Sequence, residues 1–222
     1  MAVSLAREAA LWDAGARVVA GIDEVGRGAL AGPVSVGVVA LSRCDAWPQG
    51  LADSKQLTPA RRDSMAEALA TFGVARAVGH ASPEEIDAHG IVAALRWAGT
   101  RALAAIAQAG VTVEAVLLDG KHDWLSAPDD DLWAASAGKG QAAAPPVTMV
   151  IGGDNLCASI AAGSVLAKVE RDAMMVAAHA EHPAFGWDGN KGYGAAGHLE
   201  ALRTLGPTPL HRRSWKLPAR AS

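Results

Sequence analysis

The stretch Val18-Val19-Ala20-Gly21-Ile22-Asp23-Glu24-Val25-Gly26-Arg27-Gly28-Ala29-Leu30-Ala31-Gly32-Pro33 decides the fold. Its β-branched, apolar first half predicts a buried strand over residues 17–23, with the adjacent carboxylates Asp23 and Glu24 emerging at its C-terminal tip. Acids at the end of a rigid strand suit a metal or acid–base site. The glycines that follow let backbone N–H and C=O groups approach a ligand closely, because no Cβ intervenes. The spacing Gly26-x-Gly28-x-x-x-Gly32 looks like a dinucleotide fingerprint, but that motif belongs between a strand and a helix. Here Val34, Val36, Val38, Val39 and Leu41 read as a second strand over residues 33–41, so the glycines turn a hairpin and the dinucleotide reading fails.

The 222 residues, half of them hydrophobic, fit one large domain or a domain with a small appendage. A formal charge of -3 does not announce a nucleic-acid binder, yet the charge is unevenly spread. From Lys191 onward, Arg203, Arg212, Arg213, Lys216 and Arg220 oppose the single acid Glu200. Cys44 and Cys157 are the only cysteines, which excludes a zinc ribbon or a disulfide scaffold and suits a reducing cytoplasm. Arg7, Glu8 and Asp13 interrupt any signal-peptide core, and no apolar run reads as long enough to span a bilayer. A soluble, cytoplasmic chain without a membrane partner is the expectation.

A short helix over residues 4–14 leads into the first strand. Thr58 as N-cap and Pro59 at the first helical position predict a helix to about residue 70. Ser54 and Lys55 stand just before it, where a hydroxyl and a cation suit a phosphate. Residues 72–80 read as a third strand, Ser82-Pro83-Glu84-Glu85 as a capping-box start to a short helix, and residues 91–109 as an amphipathic helix. Ala115-Val116-Leu117-Leu118-Asp119 is a nearly continuous apolar run ending in an acid, the pattern of a buried parallel strand with Asp119 at its tip. Residues 121–146 read as a loop, in which Asp129, Asp130 and Asp131 offer further carboxylates. Val147-Thr148-Met149-Val150-Ile151 restores strand character before Gly152-Gly153-Asp154, and a long helix runs on through Asp172. Asp154 and Asp172 compete for a fourth acidic position, and about 27 Å of helix would separate them. Asp154 follows a strand as Asp23 and Asp119 do, so it is chosen and Asp172 is read as structural.

Asp23-Glu24-Val25-Gly26-Arg27-Gly28 resembles the signature of the type 2 ribonucleases H, specifically bacterial ribonuclease HII. Further strings resemble that family in the right order. They are Asp53-Ser54-Lys55-Gln56-Leu57, with Gln56 for a second lysine, and Ile86-Asp87-Ala88-His89-Gly90-Ile91, with Gly90 for an asparagine. Gly152-Gly153-Asp154 follows, with Gly152 for a lysine, and leads into the helix around Ala167-Lys168-Val169-Glu170-Arg171-Asp172. Last come Asn190-Lys191-Gly192-Tyr193-Gly194 and His211-Arg212-Arg213-Ser214-Trp215, with Trp215 for a phenylalanine.

The resemblance implies a ribonuclease H-like α/β fold: a five-stranded mixed sheet flanked by helices, with a helical C-terminal appendage. One domain would span residues 1–222, its catalytic core over 17–181 and its basic appendage over 182–222. Asp23, Glu24, Asp119 and Asp154 would be the catalytic acids, holding Mn²⁺ or Mg²⁺ through the oxygen ligands those ions favour. The backbone of Gly26, Arg27 and Gly28 would read a 2′-hydroxyl, Ser54 and Lys55 would meet the DNA-strand backbone, and Tyr193 would pack on the sugar after the ribonucleotide. Arg212 and Arg213 would help to close the site or meet phosphates. The implied substrates are RNA/DNA hybrids and duplex DNA with embedded single ribonucleotides. They would be cut 5′ to the ribonucleotide to leave a 3′-hydroxyl and a 5′-phosphate, which starts ribonucleotide excision repair. The chain is expected to be a monomer, and a sliding-clamp partner stays open because the extreme C-terminus has no clear docking motif.

Three alternatives are disfavoured. Ribonuclease HIII carries an extra N-terminal substrate-binding domain, whereas only a short segment precedes Asp23. A type 1 ribonuclease H lacks the opening string. A non-enzymatic hybrid-binding protein would not need carboxylates at three strand ends, and its binding would survive chelation.

Overall fold

The computed structural model describes residues 3–126 and 144–220. Asp129, Asp130 and Asp131 lie outside the described residues. Five strands form one mixed sheet: β1 (Val18–Val25), β2 (Val34–Ser42), β3 (Ala75–Ala81), β4 (Ala115–Asp119) and β5 (Val147–Val150), in the order β3-β2-β1-β4-β5. β1 and β2 are the antiparallel hairpin read from the glycines, and β3 continues it antiparallel on β2. β4 and β5 add in parallel, so the C-terminal ends of β1, β4 and β5 share one edge of the sheet. The third strand begins later than the sequence suggests, because Gly73 turns the chain at a φ of +80°.

Side chains alternate across a strand, and the two faces of the sheet collect separate cores. Val19, Val39, Leu41, Leu117 and Val165 pack on one face with α1 (Ala6–Asp13), α2 (Pro59–Leu69) and α4 (Ala158–Glu181). Ala20, Ile22, Val36, Val38, Val116 and Leu118 pack on the other with α3 (Pro83–Gln108). α4 lies unusually close to the sheet. A Cβ on Gly37 would sit 2.0 Å from the Gly163 carbonyl oxygen, so only glycine admits this approach.

Pro83 at N1 and the reciprocal capping box of Ser82 and Glu85 start α3, and Gly90 breaks its regular geometry with φ 81° and ψ 163°. By length and composition α3 is the one described helix apolar enough to cross a bilayer, which corrects the reading that no such run exists. Its Ala94, Leu95, Ala98, Ala102 and Ile106 are spent on the sheet instead.

The C-terminal part adds α5 (Trp187–Asn190) and α6 (Ala196–Leu205) over a small core of Ala31, Met175, Phe185, Trp187 and Leu202. A buried imidazole pair lies in it. Thr208 N–H donates to His211 Nδ1 at 2.9 Å, so neutral His211 carries its proton on Nε2, 3.0 Å from His198 Nε2. His198 Nε2 also accepts from Trp187 Nε1 at 3.2 Å, which leaves His198 Nδ1–H to donate to the Tyr193 carbonyl at 2.8 Å.

Candidate active site

Three backbone segments bring the four acids together. β1 supplies Asp23 and Glu24, β4 ends on Asp119, and a single 3₁₀ turn after β5 supplies Asp154. The parallel register pairs Ile22 with Leu118, so the next residue on each strand is an aspartate. The 3₁₀ turn folds back onto β4, where Gly153 N–H donates to Asp119 Oδ1 at 2.7 Å.

Strand alternation divides the acids. Asp23 follows Val19 and Gly21 onto the α4 face, where the Ser164 hydroxyl donates to it; Glu24 belongs to the opposite phase. Asp23 is 3% exposed. Burial first, and then the charges of Glu24, Asp119 and Asp154, push its carboxyl up to about 8 despite the Ser164 bond. Burial also raises Glu24, against the opposing guanidinium of Arg27 3.4 Å away. Asp119 is raised by burial and then by Asp154, against the Gly153 N–H.

Besides Arg27 at Glu24, a lysine stands among these acids. Lys55 Nζ donates to Asp154 Oδ2 at 3.2 Å and lies 3.9 Å from Asp53 Oδ1. Burial works against its charge, yet Asp53, Asp154 and Asp23 hold it above the ordinary lysine value. Asp53 caps the short 3₁₀ turn over Ser54–Gln56 by accepting Lys55 N–H at 2.9 Å, and Arg62 holds the turn by donating to the Ser54 and Leu57 carbonyls.

Ser54 is fully buried, and its hydroxyl lies 3.0 Å from that of Ser164. Its side chain is turned inward beneath Asp23 rather than out toward a bound strand. Gln56 contacts Asn155 Oδ1, and Asn155 Nδ2 donates to Asp154 Oδ1 at 2.9 Å, so Asp154 is gripped from both sides. Asp172 is ion-paired to Lys168 on α4 at 2.7 Å.

On the other side of β1, Arg27 and Gly28 are exposed in the connection to β2. The Asn190–Gly194 turn docks there, with Leu30 N–H donating to the Gly192 carbonyl at 2.8 Å. Tyr193, 38% exposed, lies against the guanidinium of Arg171, whose Cζ is 5.5 Å from the ring centroid.

Of the two roles implied for Arg212, closing the site or meeting a phosphate, burial excludes the second. Arg212 is completely buried and donates to the carbonyls of Gly26, Arg27 and Gly32, so its guanidinium is spent on the protein and does not meet a phosphate. Ser164 and Arg171 fall in the helix string that resembles the family, but the sequence alone gives neither a role. The sequence signals for Ser164 are a hydroxyl set among the small residues Ala161, Ala162 and Gly163 and its place at the serine of the family's helix pattern.

Residues 20–218 match the family model described as Ribonuclease HII. The chain belongs to the ribonuclease HII family. It is therefore a hydrolase of the type 2 ribonuclease H class. A curated Ribonuclease HII from Streptomyces avermitilis is 49% identical over 201 residues, covering 90% of this chain and 78% of that protein. Among solved structures, the PCNA:RNase HII complex from Archaeoglobus fulgidus matches with a TM-score of 0.66 at 25% identity, covering 92% of this chain and 98% of that one. Bst-RNase HIII in complex with Mn²⁺ matches with a TM-score of 0.64, covering 90% of this chain and 67% of that one; at 19% identity it shows the fold alone.

Among the described residues, no three His, Cys, Asp or Glu side chains already stand in a metal-binding group. The donor chemistry nevertheless fits a hard divalent cation. All four candidate ligands are carboxylates, and burial together with the charges of its neighbouring acids holds Asp23 near 8.

Proposed function

We propose that this chain is a metal-dependent endonuclease that hydrolyses the phosphodiester 5′ to a ribonucleotide. Its substrates are RNA/DNA hybrids and single ribonucleotides embedded in duplex DNA, and its products carry a 3′-hydroxyl and a 5′-phosphate. The observation that carries this reading is the convergence of Asp23, Glu24, Asp119 and Asp154 from β1, β4 and the 3₁₀ turn, with mutual repulsion that Lys55 relieves at Asp154 and Arg27 at Glu24.

Asp23, Glu24, Asp119 and Asp154 would hold Mn²⁺ or Mg²⁺, hard ions that all-oxygen ligands suit. Bound there, divalent ions supply an activated water and charge stabilisation for the leaving 3′-oxygen. The chain's own residues do the rest. Asn155 and Lys55 orient Asp154, the Ser54–Ser164 hydroxyl pair supports the ionised form of Asp23, and Lys55 keeps a cation at the rim for a phosphate. The exposed backbone at Arg27 and Gly28 reads the 2′-hydroxyl, and Tyr193 packs on the following deoxyribose, which favours an RNA-to-DNA junction. In this reading the catalytic core over residues 17–181 and the appendage over 182–222 form one domain, acting in the cytoplasm to start ribonucleotide excision repair. A clamp partner rests on the Archaeoglobus fulgidus neighbour alone.

The test is a labelled DNA duplex containing one ribonucleotide, incubated with Mn²⁺ or Mg²⁺ and then with chelator, with Asp23→Asn alongside. The expected result is a metal-dependent cut 5′ to the ribonucleotide that the variant does not make. Binding without cleavage by the wild-type protein would discard the enzyme reading.

A further inference from the structure

Two completely buried arginines, Arg171 and Arg212, lie beneath the connection between β1 and β2, and no carboxylate pairs with either guanidinium among the described residues. Every donation from them goes to a backbone carbonyl. Arg171 donates to Pro33 at 2.8 Å, Lys191 at 2.9 Å and Ala31 at 3.1 Å. Arg212 donates to Gly26 at 2.7 Å through Nη2, to Arg27 at 2.9 Å through Nη1, and to Gly32 through Nε and Nη2. Trp215 covers the Arg212 guanidinium, its ring centroid 4.8 Å from Cζ.

The direction of these bonds has a consequence on the opposite side of the loop. All peptide bonds here are trans, and a trans peptide points its N–H opposite its C=O. Carbonyls of Gly26 and Arg27 drawn inward by Arg212 therefore turn the N–H groups of Arg27 and Gly28 outward. Among the described residues neither N–H has a partner, both residues are exposed, and no atom lies within 4 Å of where a Gly28 Cβ would be. Gly26 is also locked from behind, since a Cβ there would sit 2.0 Å from Arg171 Nε.

The segment that delivers Arg212 is itself anchored. Asp87 accepts from Arg213 N–H at 2.8 Å, Ser214 N–H at 3.0 Å and the Ser214 hydroxyl at 2.6 Å.

We propose that Arg212 is a positioning residue for sugar discrimination, presetting the Arg27 and Gly28 N–H groups as a donor pair toward a ribose, with Asp87 fixing the segment that carries it. The inference rests on the ribonucleotide-cleaving function proposed above. A planar guanidinium fork spans three carbonyls at fixed angles; a lysine ammonium keeps the charge but cannot.

The experiment uses wild type, Arg212→Lys and Asp87→Ala. It measures kcat and KM on a duplex with one ribonucleotide, and Ki for the all-deoxy duplex of the same sequence as competitor. Loss of a preset donor pair should lower the ratio of Ki to KM roughly tenfold in Arg212→Lys, the worth of one or two neutral hydrogen bonds. Ki itself should stay near the wild-type value, and Asp87→Ala should shift the ratio in the same direction by less. Thermal melts accompany each variant. Should Arg212→Lys be unfolded at the assay temperature, Asp87→Ala, altered at a half-buried carboxylate, decides alone. An unchanged ratio, or KM and Ki rising in parallel, overturns the positioning role while the nuclease reading stands. A wild-type protein that does not cut the ribonucleotide duplex overturns both.

Discussion

The loop between β1 and β2 is flanked by two buried clusters of charge with opposite histories. Beside it, Asp23, Glu24, Asp119 and Asp154 converge, with Lys55 against Asp154 and Arg27 against Glu24, and Asp23 is driven up to about 8. Beneath it, Arg171 and Arg212 are buried with no carboxylate paired to either among the described residues, yet backbone carbonyls meet both guanidinium groups. Burial and the neighbouring Arg171 lower Arg212 to about 9, which leaves it charged at neutral pH. A buried charge whose hydrogen bonds are complete acts as scaffold. A buried charge short of partners marks where something else must bind.

Breaking the acidic cluster should produce the largest effect and should split activity from stability. Asp23→Asn is expected to lower kcat by roughly 10²–10³-fold or more, the scale of one preorganised electrostatic partner. The same change relieves repulsion, so its melting temperature should equal or exceed wild type. A lower melting temperature would make Asp23 a structural partner. The arginine cluster should answer in the reverse sense. Arg171→Met orphans three carbonyls at about 1 kcal/mol each, a loss of about 3 kcal/mol readable by urea denaturation. A loss below about 1 kcal/mol would show that Arg171 is not the strut described here.

The buried imidazoles sharpen the comparison with pH. Burial, and then His198, lowers His211 from 6.5 to about 4, and burial lowers His198. The unfolded chain therefore takes up protons between pH 6.5 and 4 that the folded chain refuses. Stability from this pair is complete above pH 6.5 and falls as the pH drops toward 4, by at most about 1.4 kcal/mol per unit for each group. Asp23 is shifted upward and acts with the opposite sign, so denaturation midpoints at descending pH are best compared in Asp23→Asn. An equally steep decline in His211→Asn would assign the loss elsewhere. The smallest effect should come from Lys55→Met. Its side chain is 71% exposed, and an exposed ion pair is worth less than about 1 kcal/mol by chemical denaturation.

Much of this was legible in the chain. Local patterns suffice where the signal is local. Alternating valines and the glycines from Gly26 to Gly32 marked the β1–β2 hairpin, Thr58-Pro59 and Ser82-Pro83 marked helix starts, and strand-terminal acids pointed to Asp23, Asp119 and Asp154. The third strand was misplaced at its start because Gly73 was read as part of the strand rather than as its turn.

What tertiary structure alone decided is the fate of each polar side chain. Ser54 and Arg212 look like surface contacts in a string of letters, but burial turns one toward Ser164 and the other toward the carbonyls of residues 26–32. Periodicity reports which face of an element is apolar. It does not report which distant segment supplies the partner for a buried hydroxyl or guanidinium, because that depends on contacts across more than a hundred residues. The sequence determined the sheet and the acids at its edge; the packing of α4 and the C-terminal segment decided what surrounds them.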